Sequence, residues 1–481
     1  MIMSDTNSFP LDKVLFYFDG QKQNPWTVRD AVRGVQIFGG IGSGKSSGSG
    51  KWIAKSFLKN GFGGIVLCGK PDEAYEWKQY AKESGRENDL ILFREGGEWR
   101  FNPLQYETTR KGDGAGQTSN ITNLFLHLFQ MGQRISGGGE AQESERFWEN
   151  SLRRCLNRTI ELLKLAEEEI SVFNMVELLN TAPVGDDMMG QIANASRKEY
   201  SKIVESSFCI KCLDQAGANQ ETEQDKRDFN LVYNYFLRDF ANLPEKTRST
   251  VMEMYLGLAE PFLTGLLNDH FAKDTTIYPE WTFEGKIIVL DFPVKNYLQA
   301  GVYAQSIFKL LWQQATERRK VEADTLPCFL WADESQYFIN EYDMLFQTTA
   351  RSSRACTVFL SQNISNYYAM MSGKSAEARV DSLLGNLATK IYHSNNDYKT
   401  NEWAANTIGK DFRMVGSVNI GDRQSAGSSQ QLHYQVDPRD FTTLRNGGEE
   451  NRFEVEGVVT VAGRTFSTGK NYFKMIFDQN I

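Results

Sequence analysis

The chain has 481 residues, 41% hydrophobic and 24% charged, the balance of an ordinary globular protein and not of a disordered or fibrous one. Its net charge of −8 excludes a surface coated with basic groups for non-specific nucleic-acid binding, although a ring can keep a few Lys and Arg for a narrow pore. No run approaches the roughly 18 apolar residues of a spanning helix, the opening MIMSDTNSFPLDK has no signal-peptide pattern, and the six thinly spread cysteines suit a reducing compartment, so a cytoplasmic location is expected.

In chain order, VLFYFDGQKQ at 14–23 alternates apolar and polar residues before a turn, predicting a short strand or hairpin arm. GVQIFGG at 34–40 is a compact apolar run that predicts a buried strand. FGGIGSGKSSGSGK at 38–51 follows almost without side chains, and then Trp52, Ile53, Ser56 and Phe57 share one helical face. FGGIVLCGK at 62–70 and DLILF at 89–93 predict two more strands, so this stretch reads as a parallel sheet with crossover helices. From about 107 to 275 the period becomes helical, with Trp148, Leu152, Cys155, Leu156, Ile160 and Leu163 on one face. The Gly-rich GQRISGGGEAQESE at 132–145 is expected to be a mobile loop. Strands resume at 285–294, 328–334, 355–362 and 388–394. The tail reads as a polar loop, SVNIGDRQSAGSSQQLHYQV, followed by closing β-structure. The expected class is α/β: residues 1–106 and 276–481 form the two parts of a mainly parallel nucleotide-binding domain, and 107–275 an inserted all-helical domain.

Gly39 followed by Gly44-Lys45-Ser46 fulfils G-x-x-x-x-G-K-[ST] between a strand and a helix. Side chains would obstruct backbone N–H groups that turn inward around phosphate oxygens, which is why Gly39, Gly40, Gly42, Ser43, Gly44, Lys45, Ser46 and Ser47 are the expected ATP-binding set. Lys45 would neutralise the β- and γ-phosphates and Ser46 would hold Mg²⁺. LPCFLWADES at 326–335 delivers two acids at the end of an apolar strand: Asp333 for the metal shell and Glu334 to orient or deprotonate the attacking water. Gln362 ends the next strand, where it would lie beside the γ-phosphate. Arg351 and Arg354 precede that strand and are both candidates for a finger donated to a neighbouring subunit's ATP.

These blocks, together with Lys70 and Glu73 in VLCGKPDEAYEW, FNPL at 101–104, the ten-residue spacing between Arg351 and Gln362, and LLGNLATKIYHSNNDYKTNEWAANTIG at 383–409, resemble the nucleotide-binding domain of type IV coupling proteins. These are the conjugation and secretion ATPases of the FtsK/HerA-like branch. The resemblance implies a RecA-like core, a homohexameric ring with ATP between subunits, and Arg351 as the finger. It implies DNA or nucleoprotein as the substrate, with a relaxase and secretion channel as partners. Many members begin with membrane-spanning helices; here the P-loop starts at residue 39 with nothing apolar before it, so any attachment at the inner membrane would come through a separate subunit.

Three readings stay open: a conjugative or secretion motor, a cytosolic DNA translocase in processing or defence, and an ATP-switched scaffold for protein substrates. Cys209-x-x-Cys212 lacks a second ligand pair at zinc spacing and reads as two helical thiols. His393 reads as a strand-end side chain and not as a catalytic base.

Overall fold

A computed structural model describes residues 9–20, 22–135, 143–185, 188–371, 375–419 and 425–481. Contacts divide the chain into two compact units, one made of residues up to Arg94 with Pro279–Leu298 and Lys309–Ile481, the other of Glu95–Tyr278 with Gln299–Phe308.

In the first unit, strands β1 (Val14–Tyr17) and β2 (Pro25–Thr27) pair as a small antiparallel hairpin, as the alternation at 14–23 predicts. The strands that follow are β3 (Val35–Phe38), β4 (Gly63–Leu67), β5 (Leu90–Arg94), β6 (Ile287–Asp291), β7 (Cys328–Ala332), β8 (Ala355–Ser361) and β9 (Thr389–Tyr392). Runs such as Ile65-Val66-Leu67 and Phe329-Leu330-Trp331 have no polar alternate, so both faces must be covered, as parallel strands between helices are. Two late strands, β12 (Glu454–Val461) and β13 (Tyr472–Asp478), follow the hairpin strands β10 (Lys410–Asn419) and β11 (Ser425–Tyr434). The main sheet has nine strands in the order β13-β12-β9-β3-β8-β7-β4-β6-β5, parallel from β9 to β5 and antiparallel at β12 and β13. This is the mainly parallel α/β sheet of a RecA-like P-loop domain. Its order puts β8 between the P-loop strand β3 and the acid-bearing strand β7, which no local pattern announces.

After β3 the chain makes a π-helical turn, Ser46–Gly50, before α1 (Lys51–Lys59). Ile53, Ser56 and Phe57 of the expected face are buried and Trp52 is half-buried. Phe57 stacks on Trp26, Phe62 and Phe329 at centroid distances of 6.0, 5.2 and 5.6 Å, anchoring α1 to the sheet. Helix α2 (Glu73–Glu83) follows β4.

The second unit is helical, with no strand among its described residues. Leu152, Cys155, Leu156, Ile160 and Leu163 of the helix Glu143–Leu165 are fully buried, as their spacing predicts, while Trp148 is half-buried near its start. FNPL has a local cause. Asn102 caps the helix Pro103–Thr109 by accepting from the amides of Leu104 and Gln105, Pro103 occupies the first turn where no N–H is needed, and Asn102 Nδ2 donates to the carbonyls of Ala272 and Lys273.

Two expectations are corrected. Of the loop expected at 132–145, residues 132–135 and 143–145 are helical and 136–142 lie outside the described residues. The polar loop expected at the start of the tail is mostly a hairpin: ten residues of β10 pair in register with ten of β11, from Lys410↔Tyr434 to Asn419↔Ser425. A solvated two-stranded ribbon needs no apolar alternation, so its Gly, Ser and Gln content reads as loop. Among the described residues no helix is long and apolar enough to cross a membrane.

Candidate nucleotide site

The C-terminal ends of five parallel strands meet at one place in the first unit. β3 delivers the glycine loop, β4 delivers Lys70, β7 delivers Asp333 and Glu334, β8 delivers Gln362 and β9 delivers His393. Ligands of open α/β sheets bind at this edge because the loops there are free of the sheet's packing demands.

The loop is fixed by its surroundings. The amide of Gly39 donates to Ser361 O and that of Gly40 to Ser394 O, tying the loop to the ends of β8 and β9. A Cβ on Gly39 would lie 2.3 Å from Ser43 Oγ. At Gly44 the constraint is double: φ is +79° and a Cβ would lie 2.5 Å from Val455 Cγ2 on β12. Gly39, Ser43 and Lys45 are buried, Gly40, Gly44 and Ser46 half-buried, and Gly42 and Ser47 exposed. Ser43 Oγ is buried without a hydrogen-bond partner among the described residues.

Opposite the loop stands a charge cluster. Ser46 Oγ donates to Asp333 Oδ2 at 2.5 Å, spanning 287 residues of sequence. Lys45 Nζ lies 3.7 Å from Asp333 and 3.6 Å from Glu334, and Lys70 Nζ lies 3.7 and 2.8 Å from the same two acids. Gln336 Nε2 donates to Glu334 Oε2 at 2.8 Å, and Gln362 Nε2 is 3.4 Å from both Glu334 oxygens. Burial opposes ionisation of Glu334, but Lys45 and the hydrogen bonds from Lys70 and Gln336 outweigh it and hold the carboxyl at about 2. Glu334 also has left-handed backbone at φ 49°, a strain that costs roughly 1–3 kcal/mol and persists only where the surroundings impose it. Glu73 accepts from the amide of Gly69 at 3.0 Å, and burial, reinforced by Asp333, pushes its carboxyl well up.

A triphosphate with Mg²⁺ fits this donor set. Two ammonium groups and a glycine loop without obstructing side chains suit phosphate. Ser46 and Asp333 supply the hard oxygens that Mg²⁺ prefers, and Ser43 Oγ is a buried hydroxyl still to be satisfied.

His393 is a positioning residue that the sequence reading treated only as a strand end. Its Nδ1 lies 2.8 Å from Glu456 O, which can only accept, so Nδ1 carries the proton and Nε2 accepts from Ser49 Oγ at 2.7 Å. The ring thereby ties the π-turn behind the P-loop to β12. Burial, aided by Lys45, pushes its pKa down to about 4. A histidine depressed in the fold takes up protons more readily unfolded, so its contribution to stability is whole above about pH 6.5 and lost as pH falls toward 4. We expect wild-type unfolding midpoints to drop across that window and the His393→Gln protein to show a shallower slope there; equal slopes in denaturant titrations would remove this role.

The tail adds contacts that no motif signals. Gln479 Nε2 donates to Ser47 Oγ at 2.6 Å, beside the P-loop, while Lys51 and Trp52 of α1 donate to the carbonyls of Gln479 and Asp478. The two finger candidates separate. Arg354, at φ 51°, spends its guanidinium on the carbonyls of Phe9, Ala323 and Thr325, whereas Arg351 is solvent-exposed. Cys209 and Cys212 are buried on the helix Phe208–Ala218.

No protein-family model and no curated protein matches the sequence. Among solved structures, the bacterial conjugative coupling protein TrwBdeltaN70 in its unbound monoclinic form aligns with a TM-score of 0.56 at 12% identity, over 97% of this chain and 89% of that one. TrwB with ADP and Mg²⁺ aligns at 0.53 and 13%, and TrwB with the ATP analogue ADPNP at 0.54 and 12%, each over 97% of this chain and 88% of the other. At such identity the likeness is one of fold, and it spans nearly the whole length of both chains. The chain therefore has the fold of this conjugative coupling protein, built on a RecA-like P-loop sheet.

Proposed function

We propose that this chain is an ATP-hydrolysing motor that works as a homohexamer to recruit or translocate DNA or nucleoprotein in conjugative or type IV secretion-like transfer. The observation that carries the proposal is the convergence of Lys45 and Ser46 with Asp333 and Glu334, which supports reading them as a phosphate seat facing a metal-holding acid and a water-directing acid.

Lys45, Ser46 and the glycine backbone bind the triphosphate, with Asp333 and Ser46 holding Mg²⁺. An ion held there would supply positive charge to the phosphate oxygens. Glu334 orients the attacking water. Gln362, within reach of Glu334 from the intervening strand β8, couples that acid to the γ-phosphate position. Incoming phosphates compete with Glu334 for Lys45. Arg351, exposed ahead of β8, is the finger offered to a neighbouring subunit's ATP, a role worth about 10³–10⁵ in rate. Gln479 steadies Ser47 at the loop's outer edge. The fold shared with a conjugative coupling protein supports a part in conjugation- or secretion-like transfer; DNA or nucleoprotein as the substrate follows from the resemblance of the motifs to type IV coupling proteins.

Hydrolysis measured with and without Mg²⁺ and DNA, alongside the mass of the particle, tests this reading. Mg²⁺-dependent turnover that rises several-fold with DNA, on particles of six copies, is the expected result. Turnover indifferent to DNA on a single chain would overturn the motor and leave an ATP-switched scaffold.

A further inference from the structure

Lys390 is a buried cation that the nucleotide site does not use. It lies on β9, only 7% exposed, with Nζ donating to Leu387 O at 2.6 Å and 5.8 Å from the Trp403 ring. No carboxylate pairs with it among the described residues. The nearby Arg464 is matched by Asp30 at 2.8 Å, but Arg33, whose guanidinium donates to Ala462 O, adds a second positive charge that no carboxylate pairs among the described residues. An ammonium has three donors, and a buried charge without a counter-charge is costly.

Lys390 also lines a cavity of about 550 Å³, within the usual range for ligand sites, together with Thr407, Thr460, Arg464 and Asn471. The cavity stands apart from the nucleotide site: β12 pairs Val461 with Thr389, so the 461–465 turn closes over the start of β9, while His393 and the P-loop lie beyond its other end. Burial, with Arg33 contributing, pushes the Lys390 ammonium down to about 8, the signature of a cation short of an anion.

We propose that this cavity binds a small anion bearing a phosphate or carboxylate group, with Lys390 as its charge partner and the Thr407, Thr460 and Asn471 side chains as its polar lining.

Because the P-loop also attracts phosphate, the test uses the full chain carrying Lys45→Ala, with and without Lys390→Met. Inorganic phosphate and citrate are titrated at constant ionic strength against chloride, and thermal unfolding is followed. At about ten times Kd, Tm should rise by about 2 °C in the single variant and stay flat in the double variant. A response to phosphate alone assigns a phosphate-bearing ligand, and a response to citrate alone a carboxylate-bearing one. Equal rises in both proteins, or none in either, overturn the proposal. Wild-type crystals soaked in the responding anion give a second readout that does not depend on the variant's folding: density beside Lys390 Nζ is expected, and its absence at saturating concentration would sink the site.

Discussion

Glu334→Gln is expected to lower ATP turnover by about 10²- to 10⁴-fold while leaving MgATP affinity within a few-fold of wild type. The amide keeps the volume and one acceptor for Lys70 but loses the charge. The fold invests heavily in that charge: Lys45, Lys70 and Gln336 hold the carboxyl at about 2 despite its burial. So acidic a group is a poor proton acceptor, so in the proposed mechanism its part is first to orient water by accepting hydrogen bonds from it. In that proposal, phosphates that draw Lys45 away would remove one of its two cations, raise its basicity and ease proton transfer as the substrate arrives. Steady-state turnover paired with equilibrium binding of a fluorescent ATP analogue measures both halves. Turnover within threefold of wild type would strip Glu334 of its role; lost binding would make it part of the seat and not of the chemistry.

Lys45→Ala should weaken ATP binding by about 100-fold or more, because truncating one partner of a buried charge-assisted contact costs several kcal/mol and leaves the others unpaired. The variant also takes away the cation lying 3.7 and 3.6 Å from Asp333 and Glu334. Lys70 would be left as the sole ammonium between two acids, and Glu334 should titrate at a higher pH than in the wild type. Calorimetric titration with ATP and Mg²⁺ reads the affinity. A loss of less than threefold would mean that the glycine loop does not grip phosphate through this lysine.

Much of the site was legible in the chain. G-x-x-x-x-G-K-S after an apolar run and ADE after another are local devices: backbone must approach phosphate without side-chain obstruction, and a buried strand must deliver its acids at its end. Both requirements act over a few residues and leave a mark in them. The capping logic of Asn102-Pro103 and the buried face from Leu152 to Leu163 are local in the same sense.

What the tertiary structure alone decided concerns strand order and distant partners. Nothing near β3 or β7 announces that β8 lies between them, yet that insertion brings Gln362 to Glu334. Arg354, unlike the exposed Arg351, is held by the carbonyls of Phe9, Ala323 and Thr325, which lie in other segments. His393 braces the P-loop only because β12 joins the sheet beside β9, and Gln479 reaches Ser47 across 432 residues. Hydrogen bonds and ion pairs act over about 3–4 Å in space regardless of chain separation. Sequence periodicity therefore determines what each segment becomes, and the packing of the sheet determines which segments meet.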